Sequence, residues 1–358
     1  MAITESRSTE PRHILDISDL TTTEVKRILA IAEDLKSRLR AGHREPLLTG
    51  RMLALIFEKQ SLRTRVSFET LMAHLGGSSL YLGDDVGFGR REPMCDFGRV
   101  LSEMVDCVAV RAKRHEAVVE LAKYSTIPVI NALTDEAHPC QALADAMTLR
   151  ERFGEDLSGR TCAWIGDGNN VARSLALICG RLAMRFAMGT PAKYQFSEST
   201  MAFLKQAEPS LELCVYEDPR DAVRNASAVC TDVWVSMGQE TERAERLADF
   251  QAYRVTPELM RLAADDAVFM HCLPAHRTEE VAPEVIDGPR SVVVQEAGNR
   301  LHAQKGLVAW LLPIEKRTRF RFRDGDHQLP GQTSPRMCRQ SREREERIRR
   351  KKRGEGRS

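Results

Sequence analysis

The stretch "SLRTR" (residues 61–65) places two hydroxyls, Ser61 and Thr64, and two guanidiniums, Arg63 and Arg65, within five residues. It follows the apolar run "RMLALIF", so a strand ends just before it and a helix begins at it. Backbone N–H groups in a first helical turn, together with arginine forks, suit a phosphate or another compact anion. The competing reading is a capped, solvated helix end. Arg111 closes a second apolar run, "CVAVR", and a charge there faces either solvent or a site.

Further along, "HPCQ" (138–141) offers His138 and Gln141, both able to hydrogen-bond a carbonyl group. Pro139 presets the first turn of a helix and so aims them. "WIGDGNN" has the look of a nucleotide loop, but the glycine that a dinucleotide fingerprint needs at 171 is Val171. Its Asn169–Asn170 pair either caps a helix or holds a polar ligand. "TDVWVSMG" sets Asp232 ahead of Ser236 and Met237, a carboxylate with hydroxyl and backbone donors that suits the ammonium and carboxylate of an amino acid. In "HCLPAHR", Cys272 lies between His271 and a proline-stiffened turn. A metal ligand, a nucleophile, a buried thiol and a less direct role all remain open for it. Zinc sites favour CxxC or HxxxH spacing with several converging ligands, which "HC" lacks. A nucleophile needs a paired base, and the sequence identifies none. Arg300, in "EAGNRLHAQKGL", reads as a charge just ahead of a last helix.

These stretches need a scaffold. "DLTTTEVKRILAIAEDLKSRLRAG" has the caps and spacing of an amphipathic helix. Short apolar runs at 51–57, 107–111, 127–131, 161–166, 226–232, 266–271 and 291–295 read as buried strands, separated by helix-length segments such as the one carrying Phe68, Leu71, Met72 and Leu75. That alternation predicts an α/β protein with parallel sheets. The length of 358 residues favours two domains, each a central parallel sheet flanked by helices, hinged at a helix over 140–154. Ligands of such sheets bind at the carboxyl ends of the strands, where the stretches above fall.

The totals narrow the class. Nine cysteines without CxxC pairs fit reduced thiols in a cytoplasm. No apolar run approaches the roughly 20 residues that span a bilayer. The start carries neither a secretory core nor a transit pattern, so a cytoplasmic protein is expected. The net charge of +2 hides a split: residues 314–358 hold 16 Lys+Arg against 7 Asp+Glu, whereas the remainder is mildly acidic. Such a tail is expected to be disordered. Nucleic acid is an expected partner only through that tail, where Phe320 and Phe322 are the sole stacking groups.

Taken in order, S-x-R-T-R, Arg111, H-P-C-Q, G-D-G-N-N, D-x-W-x-S-M-G, H-C-L-P and N-R-L-H-A-Q-K resemble the ornithine carbamoyltransferase family, over about residues 12 to 313. The resemblance implies transfer of a carbamoyl group from carbamoyl phosphate to L-ornithine, without metal or organic cofactor, in a homotrimer or a multiple of trimers. It implies a carbamoyl-phosphate domain over 1–140, joined again by a helix at 301–313, and an ornithine domain over 141–300. By position, Ser61, Leu62 (through its N–H), Arg63, Thr64 and Arg111 would bind the phosphate, and His138 and Gln141 the carbamoyl group. Asn170, Asp232, Ser236 and Met237 would bind ornithine's α-groups. Cys272, Leu273 (by its backbone) and Arg300 would face the reacting carbonyl and the incoming amine; Arg63, His138, Cys272 and Arg300 are the catalytic candidates. Putrescine, N-acetylornithine or aspartate as acceptor is the alternative within enzymes, and a basic-tailed nucleic-acid-binding protein the alternative outside them. Gly87 departs from the glutamine or histidine that many relatives send into a neighbouring subunit, so no such contact is expected from it. Gly298 stands where relatives often carry glutamate.

Overall fold

The computed structural model describes residues 11–235 and 239–312. They form two parallel sheets. The first has the order β2-β1-β3-β4, from β1 (Met52–Phe57), β2 (Ser78–Leu82), β3 (Cys107–Arg111) and β4 (Val129–Leu133). The second has the order β7-β6-β5-β8-β9, from β5 (Thr161–Ile165), β6 (Arg185–Gly189), β7 (Glu212–Tyr216), β8 (Ala228–Thr231) and β9 (Val268–His271). With the first sheet come α1 (Thr22–Arg40), α2 (Leu62–His74), α3 (Met94–Ser102) and α4 (His115–Tyr124). Then follow α5 (Pro139–Phe153), α6 (Asn170–Arg181), α7 (Glu198–Ala207), α8 (Pro219–Val223), α9 (Arg243–Asp249), α10 (Pro257–Met260), α11 (Pro283–Ile286) and α12 (Val293–Leu311).

The central strands β1, β3 and β5 are continuous apolar runs because helices cover both faces of their sheets. Three strands escape the sequence pattern. β2 and β7 are sheet edges with partly exposed, mixed residues, and β6 opens on an exposed arginine and closes on glycine. β4 begins at Val129, two residues after the start expected from "IPVIN", since Pro128 offers no N–H to a ladder.

Helix ends follow local chemistry. Thr21 and Glu24 form a reciprocal capping box on α1, Ser61 caps α2, Pro139 opens α5 and Asn169 caps α6.

The chain's last described helix corrects two expectations. "SVVVQ" is not a strand: only Ser291 makes a bridge, to Phe269, and α12 starts at Val293. Arg300 therefore lies in the middle of a helix rather than ahead of one. α12 packs against α1, α5 and α2. Its Gly306 lets the α1 backbone approach: a Cβ there would stand 2.4 Å from Ile28 O and 2.8 Å from Ala32 Cβ.

Candidate active site

The carboxyl ends of the two sheets meet where Arg63, after β1, reaches Leu273, after β9, and the two sheets contribute different chemistry. From the first sheet come the start of α2 and the end of β3. Ser61 Oγ accepts from Thr64 N (3.3 Å) and donates to Thr64 Oγ1 (3.0 Å). The N–H groups of Leu62 and Arg63 are left without helical partners, as in any first turn. β1 and β3 pair in register with Phe57 opposite Arg111, so Arg111 emerges beside the α2 N-terminus. Arg111 is buried, and its Nε has no partner among the described residues. Burial, then the neighbouring Arg300 and Arg63, push its pKa down to about 10.

Arg300 reaches the same place from α12. It is buried, with Nη1 on Gln141 Oε1 (2.8 Å) and Nη2 on Thr64 Oγ1 (3.2 Å), while its Nε is orphaned. His138, the residue before α5, is buried and anchored by its own N–H to Ser174 Oγ (2.8 Å). Its Nδ1 has no partner among the described residues. Burial, with Arg300 and Arg111 nearby, holds its pKa well below the ordinary imidazole value, so His138 is neutral. Arg63 donates through Nη2 to Leu273 O (2.7 Å). Thus Arg63, Arg111, His138 and Arg300 converge, and none of the three arginines meets a carboxylate in an ion pair among the described residues. Three cations that converge without an ion pair among the described residues have the chemistry to hold an anion.

The second sheet supplies the opposite sign. Asp232, just past β8, accepts from Asn169 Nδ2 (2.9 Å), Val233 N (2.8 Å) and Cys272 Sγ (3.2 Å). Burial of the sulfur, with Asp232 and Glu296 close by, raises the Cys272 pKa well above the usual value, so the group is a thiol rather than a thiolate. Asn170 opens α6 and donates to Thr134 O (2.5 Å), which bridges the two halves of the chain. His271 has both nitrogens engaged: Nδ1 accepts from Leu273 N (2.9 Å) and Nε2 bonds Glu280 Oε1 (3.1 Å). Asp232, His271 and Cys272 bring one donor atom each within 4.8 Å, yet that imidazole has no free lone pair for a metal. The same bonds hold Leu273 at φ +56°, which turns its carbonyl toward Arg63. Ser236 and Met237 lie outside the described residues.

Family models match both halves. Residues 12–151 match the carbamoyl-P binding domain of aspartate/ornithine carbamoyltransferase, and residues 158–311 its Asp/Orn binding domain. An ornithine carbamoyltransferase of Carboxydothermus hydrogenoformans is 48% identical over 305 residues, covering 84% of this chain and 97% of the relative. One from Methylococcus capsulatus is 49% identical over 306 residues, covering 85% and 99%. The chain belongs to the aspartate/ornithine carbamoyltransferase family. Among solved structures of that family, the ornithine carbamoyltransferase from Pyrococcus furiosus superposes with a TM-score of 0.81 at 45% identity, covering 85% of this chain and 98% of that one.

Two residues of this carbamoyltransferase-family site escaped the sequence. Asp145 and Glu296 are buried acids that both accept from Gln141 Nε2, at 2.8 and 2.9 Å. Asp145 was within reach, since it follows Gln141 by four residues and so shares its helix face. Glu296 stands in the same relation to Arg300, but only within a helix that starts before it.

Proposed function

We infer that this chain is an ornithine carbamoyltransferase, a transferase that moves the carbamoyl group of carbamoyl phosphate to the δ-amine of L-ornithine, releasing citrulline and phosphate. The observation that carries this inference is the pairing of Arg63, Arg111 and Arg300, in no ion pair among the described residues, with the Asp232 carboxylate, which accepts from Cys272 of the turn that Arg63 reaches. The trio suits a dianion, and the carboxylate suits an ammonium group.

The first lobe, 1–140 with the returning helix, takes carbamoyl phosphate. Ser61, the Leu62 N–H, Arg63, Thr64 and Arg111 hold the phosphate. Neutral His138 and Gln141, whose Oε1 keeps a lone pair for a carbamoyl N–H, hold the carbamoyl group. The second lobe, 141–300, takes ornithine through Asn170, Asp232, Ser236 and Met237.

The amine attacks the carbonyl carbon, the oxygen gains negative charge, and the C–O bond to phosphate then breaks. Arg63, His138 and Arg300 lie ready to stabilise that charge, and each such donor is worth about 2.7–4 kcal/mol of barrier. Ornithine's amine, with an ordinary pKa of about 10, must lose a proton first. The Cys272 thiol and the Leu273 carbonyl orient it; the thiol's own hydrogen is directed to Asp232. No metal or cofactor takes part. The enzyme works in the cytoplasm as a homotrimer or a multiple of it.

The decisive experiment offers carbamoyl phosphate with ornithine, putrescine, N-acetylornithine or aspartate and measures carbamoylated product. Citrulline should dominate, because putrescine lacks the carboxylate and acetylornithine the α-ammonium that the second lobe is built to hold. Preference for any other acceptor overturns the assignment.

A further inference from the structure

Gln141 is enclosed by two carboxyl groups and one guanidinium. Nε2 donates to Asp145 Oδ1 and Glu296 Oε1, and Oε1 accepts from Arg300 Nη1. The amide therefore has one orientation: turned over, its NH2 would face the guanidinium and its oxygen the carboxyls. Glu296 also accepts, through Oε2, from His271 N at 2.9 Å, the residue beside Cys272. One carboxyl pair thus ties α5, the end of β9 and α12 together behind the anion site.

We propose that Asp145 and Glu296 are positioning residues of the transfer site, a carboxyl pair that shares one proton and locks the Gln141 amide, and through it Arg300, in the orientation the reacting carbonyl requires. The inference rests on the carbamoyl-transfer assignment above. Two dry carboxylates on one nitrogen repel, and such pairs keep a proton between them. The proton belongs to the pair: both oxygens of Glu296 accept N–H groups, and Asp145 Oδ1 accepts one. Burial raises both groups, Asp145 to about 7 and Glu296 well above the usual range. The charged and titratable groups facing the pair are Arg300 on α12, His271 and Cys272 at the end of β9, Cys162 on β5, Cys179 on α6 and Cys230 on β8. Arg300 is the fixed cation among them, and His271 Nδ1 accepts a hydrogen bond from Leu273 N.

The test compares isosteres. Asp145→Asn keeps an acceptor for Gln141 and supplies an N–H to Glu296, so it imitates the protonated acid. Glu296→Gln has one acceptor oxygen for two N–H donors and must oppose one of them. The kcat of Glu296→Gln and of Asp145→Ala should fall at least about tenfold below that of Asp145→Asn, the factor one hydrogen bond to a charged group is worth. The KM for ornithine should change far less. The alkaline limb of kcat should lie at higher pH in Asp145→Asn than in the parent enzyme. Equal kcat for Asp145→Asn and Glu296→Gln, or superimposable pH profiles for Asp145→Asn and the parent, overturns the proposal. Circular dichroism melts accompany each variant. Should Glu296→Gln fail to fold, the Asp145→Asn and Asp145→Ala pair with the pH profile decides. A parent protein that makes no citrulline overturns the carbamoyl-transfer assignment instead.

Discussion

Arg63 Nη2 donates to Leu273 O across 2.7 Å, although 210 residues of chain separate the two. The guanidinium in the first turn of α2 thereby touches the turn that follows β9, and the 61–65 stretch is joined to the loop carrying Cys272. A group so placed can grip the phosphoryl donor while it reports on the position of the amine.

Arg63→Ala should lower kcat/KM for carbamoyl phosphate by about 10²–10³, the usual cost of one preorganised donor. Most of the change should fall on donor affinity, because Asn170 and Asp232 on the other lobe remain to hold the acceptor. Steady-state kinetics with each substrate varied in turn checks this; a change confined to the ornithine KM contradicts it.

Cys272→Ala should lower kcat by about tenfold or more, a loss comparable to one hydrogen bond to a charged group, here the thiol on Asp232. Since the thiol is protonated by its surroundings, no covalent adduct of the carbamoyl group should be trapped in the parent enzyme by mass spectrometry. Unchanged turnover in the variant removes the thiol from the mechanism.

Gly306→Ala should destabilise the fold. The added methyl meets Ile28 O at 2.4 Å and forces α1 and α12 apart. Overpacking of this kind costs about 1–3 kcal/mol, and the gain of about 1 kcal/mol in helix propensity offsets only part of it. A urea midpoint at or above that of the parent contradicts the close approach.

The folded-state pKa of Asp145, raised to about 7 chiefly by burial, lies above its unfolded value. Its share of stability is therefore complete below the ordinary carboxylate range and is lost as pH rises toward 7. Asp145→Asn lacks that titration, so its denaturation midpoint should gain on the parent's between about pH 4 and 7 and then run parallel to it. Urea melts across that range read the difference directly; a constant gap means that Asp145 is not the titrating group.

Much of the architecture was legible because the relevant physics is local. Period and burial give β1, β3, β5, β8 and β9 as apolar runs, and the caps at Thr21, Ser61, Pro139 and Asn169 mark helix starts without reference to anything distant. The edge strands β2 and β7 were not legible, since a half-exposed strand has no continuous apolar run. The valines of "SVVVQ" misled because a β-branched run looks like a strand in isolation, whereas here Val292 and Val293 are buried at the start of α12 and Val294 is exposed. Glu296 was lost with them: its face on α12 exists only once the helix begins at Val293.

The sequence by itself determined the chemical inventory: a helix start at 61–65 with hydroxyls and guanidiniums suited to an anion, a carboxylate at 232, a thiol at 272 and the alternation that builds two parallel sheets. Only the tertiary structure decided which of these act together. It brings Arg63, Arg111 and Arg300 together with no ion pair among the described residues, makes Cys272 a thiol against Asp232, and sets two buried acids behind Gln141. The reason is physical. Helix caps and strand periodicity depend on neighbours in the chain, whereas protonation state and charge pairing depend on desolvation and on groups hundreds of residues away.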